Sequence, residues 1–155
     1  LMISSRVKLF YAFTLVEMII ALVILTILAS ITTLSLQNGL DGAHLRSATD
    51  RVLSDLYLVR TAAQREQVPR TIIFTPDQCL YAAPEVTDPE KHQPLSINLN
   101  DYHVNQITLT GFAVNYEITF NAQGFTDTNP SIILHCGNRT TTIQVKNTGE
   151  IKQIN

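Results

Sequence analysis

Residues 13–36 read FTLVEMIIALVILTILASITTLSL, 24 positions in which Glu17 is the one charge. From Met18 to Leu40 no charged residue occurs at all. A helix rises about 1.5 Å per residue, so this run reaches roughly 36 Å, enough to cross a hydrocarbon core of about 30 Å. The pattern predicts a membrane span. Beyond it the periodicity changes. Leu45, Ala48, Val52, Leu56, Val59 and Ala63 recur at spacings of three and four, which predicts a helix with one apolar face over 43–67. Arg46, Asp50, Arg51, Asp55, Arg60 and Arg65 fall largely off that stripe. Arg51 and Asp55 stand four apart, a spacing that supports an ion pair. Pro69 ends the pattern. Gly39 and Gly42, on either side of Asp41, predict a kink or short break between the two halves.

The remainder reads as strands. Segments 70–75, 79–82, 95–99, 106–110, 116–120, 131–136, 140–145 and 150–154 are short and rich in β-branched or aromatic residues. Residues 121–124, 136–138 and 147–149 read as turns between neighbours. Residues 83–94 hold Pro84, Pro89 and Pro94 with four charges, which predicts a surface loop. The expected architecture is therefore α+β: one long helix, its second half packed on an antiparallel sheet. The expected organisation is a leader over 1–12, a membrane and assembly helix over 13–40, and an exported α+β head over 41–155. Met2 would begin an eleven-residue leader.

Composition narrows the function. Charged residues are 15 % of the chain and mean hydropathy is +0.12, an excess of apolar character that the N-terminal run explains. Arg6 and Lys8 precede that run and no acid does, so the leader is expected in the cytoplasm and the bulk of the chain across the membrane. A cleavable secretory signal would begin similarly, with Ala29-Ser30 as its small-residue site, but its apolar region would be shorter. Glu17 fits neither reading. A carboxylate within hydrocarbon costs at least a few kcal/mol. Either it lies at the interface and is solvated, or it pairs with a cation when the helix meets another subunit.

Ala12-Phe13-Thr14-Leu15-Val16-Glu17, with a short basic leader before it and an apolar helix after it, resembles the class III signal of type IV pilins and pseudopilins. The resemblance implies cleavage by a prepilin peptidase between Ala12 and Phe13, N-methylation of Phe13, and a helix that stays in the inner membrane as the assembly stem. It also implies that Glu17 neutralises a neighbouring subunit's N-terminal amine. Two poorly solvated opposite charges are each costly alone and much cheaper paired. Ala12 departs from the family's usual Gly and is small enough to be processed. Two stretches, 54–63 with 68–72 and 120–124 with 148–151, are similar to minor pseudopilins of the GspH/FimT type. The implied partners are the peptidase, other pilins or pseudopilins of one fibre, and secreted cargo. Type II secretion and type IV pilus-like machines share this signal.

No catalytic constellation appears: the chain has no GxSxG, P-loop or HExxH string. The reading is of a structural protein that is not an enzyme and takes no cofactor or metal. His44, His92, His103 and His135 are read as surface or packing residues. His135 and Cys136 are strand neighbours, whose side chains point to opposite faces, against a Cys/His nucleophile. Cys79 and Cys136, the only thiols, are a candidate disulfide in an oxidising compartment; the alternative is two buried free thiols. DNA uptake is the rival function. It requires a local basic patch, whereas the mature chain would hold nine basic and thirteen acidic residues, without a basic run.

Overall fold

Helix α1 (Leu15–Glu66) opens the fold in this computed structural model, which describes residues 14–112 and 115–154, without the side chains of 31–38. Thr14 starts the helix: its Oγ1 accepts the Glu17 N–H at 3.2 Å, and its carbonyl accepts the Met18 N–H at 3.2 Å. This is the side-chain cap that an orphan first-turn N–H requires, and the Glu17 charge complements the positive end of the helix dipole. The helix assignment runs unbroken through Gly39 and Gly42, so the expected break is absent. At Gly42 a Cβ would lie 3.4 Å from the Arg139 guanidinium, an ordinary contact. The helix ends at Glu66, followed by Gln67 in the left-handed region at φ 55°, with Pro69 beyond.

The chain divides into two units, Leu1–Gln37 and Asn38–Asn155. In the first, every described residue over 14–30 is exposed; the large apolar side chains there range from 52 % for Ile19, Val23 and Ile24 to 76 % for Leu15. Thr26 Oγ1 donates to the Val23 carbonyl at 2.8 Å, and Ser30 Oγ to the Thr26 carbonyl at 2.7 Å. These hydroxyls satisfy their donors on the helix itself, which leaves that surface effectively apolar.

In the second unit the apolar stripe behaves as its spacing predicts. Leu45, Ala48, Val52, Leu56, Val59 and Ala63 are all buried. They join side chains from two antiparallel sheets in one core. One sheet holds β1 (Arg70–Thr75), β2 (Leu80–Thr87), β3 (Pro94–Asn98) and β5 (Glu117–Phe120), in the order β3-β2-β1-β5. The other holds β4 (Gln106–Thr110), β6 (Ser131–Cys136), β7 (Arg139–Val145) and β8 (Ile151–Ile154), in the order β4-β6-β7-β8. The expected antiparallel α+β architecture is thus present, with its strands split into two four-stranded sheets.

The expected 83–94 loop is shorter in the structure. β2 continues to Thr87, and Val86 and Asp88 are buried. Its pairing with β3 shifts register between Ala83 and Thr87, around Pro84. A proline is tolerated there because no ladder hydrogen bond is asked of its missing N–H.

Candidate functional site

Of the residues singled out for processing and assembly, Glu17 lies at the start of α1. Ala12 and Phe13 are outside the described residues. Glu17 is in the first turn of the helix, exposed, and its carboxylate makes no ion pair among the described residues. Around it lies the uncovered apolar surface of 15–30. Among the described residues, no helix is long and apolar enough to cross a membrane. The span expected over 13–36 extends past them, to Phe13 and to the side chains of 31–36.

Within the Asn38–Asn155 unit the charges are organised around Arg51. Its Nε donates to Asp55 Oδ2 at 3.0 Å, one terminal nitrogen to Asp88 Oδ2 at 3.0 Å and the other to Glu90 Oε2 at 3.4 Å. Tyr81 Oη donates to the same Asp55 oxygen at 2.6 Å. Asp88 Oδ1 accepts the N–H groups of Glu90 and Lys91 at 2.8 and 3.4 Å. Burial pushes the Asp55 carboxyl above its ordinary value, against the bonds from Tyr81 and Arg51 that pull it down. Burial also raises the Tyr81 phenol, with Asp55 adding to the rise. Partial burial opposes the charge on Arg51, yet Asp55 and Asp88 hold its pKa above the ordinary arginine value. At Asp88 the backbone donors and Arg51 outweigh burial, so that carboxyl stays below its ordinary value. The cluster ties the 88–93 turn to the helix. Among the described residues no buried side-chain nitrogen or oxygen lacks a partner, so the polar groups of the cluster are satisfied where they are buried.

Besides Arg51, three helix and strand arginines have partners within the unit. Arg65 and Arg70 pair with Glu66, and Arg70 also reaches Glu85 at 3.3 Å. Arg60 Nε donates to the Gly124 carbonyl at 3.2 Å, while Gln64 Nε2 donates to the Gln123 carbonyl at 2.9 Å. These two helix residues pin the 121–124 turn. Asp55 was expected off the apolar stripe and is instead buried on it. The signal was its place three after Val52 and four before Val59, one turn along the buried face.

His44 and His103 stack at a centroid distance of 4.1 Å, and His135 Nε2 lies 3.1 Å from Thr108 Oγ1. His92 occupies the 88–93 turn. Among the described residues no three His, Cys, Asp or Glu side chains cluster to hold a metal ion. Cys79 and Cys136 are both buried free thiols, so the candidate disulfide is not formed in this structure. Cys79 precedes β2 and its thiol lies on the backbone of Ile107, whereas Cys136 ends β6 on the side of Asp41. Burial raises both thiol pKa values, which disfavours the reactive thiolate.

Residues 9–33 match the family described as the prokaryotic N-terminal methylation motif. No curated protein matches the sequence. Among solved structures, the fold is similar to the type IV minor pilin FimU of Pseudomonas aeruginosa in two crystal forms. One aligns at 14 % identity over 72 % of this chain and 88 % of that one, with a TM-score of 0.55. The other aligns at 15 % identity over 72 % and 93 %, with a TM-score of 0.52. The minor pseudopilin EpsH from the Type 2 Secretion System of Vibrio cholerae aligns at 10 % identity over 72 % of this chain and 96 % of that one, with a TM-score of 0.56. The chain therefore carries a prepilin-type methylation motif on a pilin-like fold.

Proposed function

We propose that this chain is a minor pseudopilin, a structural subunit of a type II secretion pseudopilus or a type IV pilus-like fibre. The observation that carries the reading is the coincidence of the methylation motif over 9–33 with a helix whose described residues 14–30 are all exposed. Large apolar side chains left uncovered along several turns need lipid or other helices around them. In this reading the precursor inserts in the bacterial inner membrane, leader in the cytoplasm and head in the periplasm. A prepilin peptidase cuts between Ala12 and Phe13, and Phe13 is N-methylated. The stem then leaves lipid for a bundle of neighbouring stems, where Glu17 meets an N-terminal amine. The head performs no catalysis and contacts other fibre subunits or secreted cargo.

Mass spectrometry of the N-terminus of the full chain, purified from membranes that contain a prepilin peptidase, tests this. The expected mature protein begins with N-methylated Phe13. An uncut protein, or one trimmed beyond Ala29 and released as a soluble head, overturns the reading.

A further inference from the structure

The segment that links β3 to β4 meets α1 through two imidazoles. Its 3-10 helix (Leu99–Tyr102) ends on His103, and the His103 ring stacks on His44 of α1 with centroids 4.1 Å apart and planes 19° apart. His44 is half-buried and His103 exposed. His103 sits at φ 60°, in the left-handed region, where a residue with a side chain persists only if its surroundings fix it. Its N–H donates to the Asn100 carbonyl at 2.9 Å, and the Val104 N–H donates to the Leu99 carbonyl at 3.2 Å. Below the turn, Leu99 and Val104 are buried in the core. The Leu99 N–H donates to the Cys79 carbonyl at 2.7 Å, and Asn100 Nδ2 to the Gln78 carbonyl at 3.1 Å. The segment thus joins α1 to the residues that lead into β2.

Few charges surround the ring pair. On α1, Asp41 stands three residues before His44, with its carboxylate against the Gly137 backbone. In the segment itself, Asp101 is exposed two residues before His103. From β6, the His135 ring is turned to Thr108, and the Cys136 thiol is buried. Arg139, which opens β7, reaches α1 at Gly42. No side-chain hydrogen bond or ion pair ties either imidazole to these groups among the described residues. The two acids favour a first proton on the pair. A neutral pair stacks as aromatic rings do, and one imidazolium over a neutral ring remains attracted, as a cation over a π face. A second proton sets two like charges 4.1 Å apart. With water's full screening that repulsion shifts an equilibrium about fivefold, and more where protein displaces the water.

We propose that His44 and His103 form a proton-operated latch, which holds the 99–105 segment on α1 while the pair carries at most one proton and lets it open when both rings are charged. Histidine is the side chain that changes charge between about pH 8 and 5, so the latch works in a range where the carboxylate contacts of Glu150 and Asp88 persist. Burial of Leu99 and Val104 keeps the segment closed in most molecules at either end of that range. The ring pair sets how often the segment opens, and the rest of the fold stays intact. The latch belongs to the Asn38–Asn155 unit and does not depend on the fibre-subunit reading.

Hydrogen–deuterium exchange of the full chain in detergent, read by mass spectrometry at about pH 7.5 and about pH 5 with labelling times scaled to the intrinsic exchange rate, tests it. Protection of 99–105 is expected to fall about fivefold or more at the lower pH, while β6 keeps its protection. His44→Phe retains a ring that takes no proton, and its segment stays protected at both pH values. His44→Gln has no ring to stack, so its segment exchanges faster than the parent's already at the higher pH and loses nothing further at the lower. His135→Gln behaves as the parent, because that ring lies on Thr108 and outside the pair. Equal protection of the parent segment at the two pH values, or equal losses in β6 and 99–105, overturns the proposal. So does a loss that survives in His44→Phe, a loss that disappears in His135→Gln, or a His44→Gln segment as well protected as the parent's.

Discussion

The Tyr81 hydroxyl donates a 2.6 Å hydrogen bond to Asp55 Oδ2, which links β2 to the buried face of α1. Asp55 is 3 % exposed and Tyr81 fully buried, and Arg51 completes the contact from the same helix at 3.0 Å. Asp55→Ala leaves the buried Tyr81 phenol without its acceptor and takes one of three carboxylates from Arg51, at an expected cost of about 3 kcal/mol. Tyr81→Phe removes one donor and keeps the ring, at an expected cost of about 1–2 kcal/mol. Chemical denaturation of the full chain in detergent should show that order. Equal, small losses would mean the cluster contributes little to stability.

The carboxylates give stability a dependence on pH that can be signed in advance. Glu150 accepts hydrogen bonds from Lys146 at 2.7 Å and Lys152 at 2.6 Å, which pull its pKa from 4.5 to about 2. A folded pKa below the unfolded one contributes stability that is complete above the unfolded value and lost as pH falls through the folded one. The Glu150 contribution should therefore be present above about pH 4.5 and gone near pH 2. Asp88, also lowered, acts in the same direction. Asp55 has the opposite sign: its folded value is raised, so its contribution is fully present below the ordinary value and is lost as pH rises through the raised one. Glu150→Gln isolates one of these. Its stability should trail the parent at pH 7 and converge with it near pH 2. Because Glu150 and both lysines are substantially exposed, salt should shrink the gap.

Two glycines give opposite expectations for the same substitution. Gly149 sits at φ 76°, and a Cβ there would collide with the Gly124 carbonyl. Gly149→Ala combines a left-handed alanine with a backbone clash and should destabilise by more than about 2 kcal/mol. Gly39 lies inside α1 with nothing within 4 Å of a would-be Cβ, so Gly39→Ala should stabilise by up to about 1 kcal/mol. Thermal unfolding of the two variants checks both signs.

The helical stripe was legible because spacing alone defines it, and Leu45 through Ala63 needed no partner to be read. Strands 70–75, 106–110 and 131–136 coincide with β1, β4 and β6 for a similar reason: local composition and turns bound them. The division into two sheets was not legible. It depends on pairings such as Arg70 with Phe120 and Gln106 with His135, far apart in sequence. Burial of Asp55 was missed because an acid on a helix is ordinarily solvated, and the Tyr81 and Arg51 groups that make burial tolerable come together only in three dimensions. Gly39 and Gly42 read as a break by propensity, yet α1 runs through both. At the candidate assembly site the charged leader, the AFTLVE string and the apolar run were all local, so the motif could be read directly.

The pairing assigned to Glu17 makes the sharpest functional prediction. Glu17 is held in the first turn by the Thr14 cap, on an exposed apolar helix that offers its carboxylate no cation among the described residues. Cleavage before Phe13 would create an ammonium four positions away in sequence, and the same charge on each neighbouring stem. Glu17→Ala removes the acid and its insertion cost while leaving the apolar run intact. The precursor should still insert, and the mature N-terminus should still be Phe13. What should fall is incorporation: the variant stays in the membrane fraction, and sheared fibres contain it at a level at least about tenfold below the parent, the scale expected for one lost charge-assisted contact in a water-poor site. Immunoblots of sheared fibres and membranes from the same cells measure both quantities. Normal incorporation of Glu17→Ala would show that the acid serves the helix start and not the neighbour's amine.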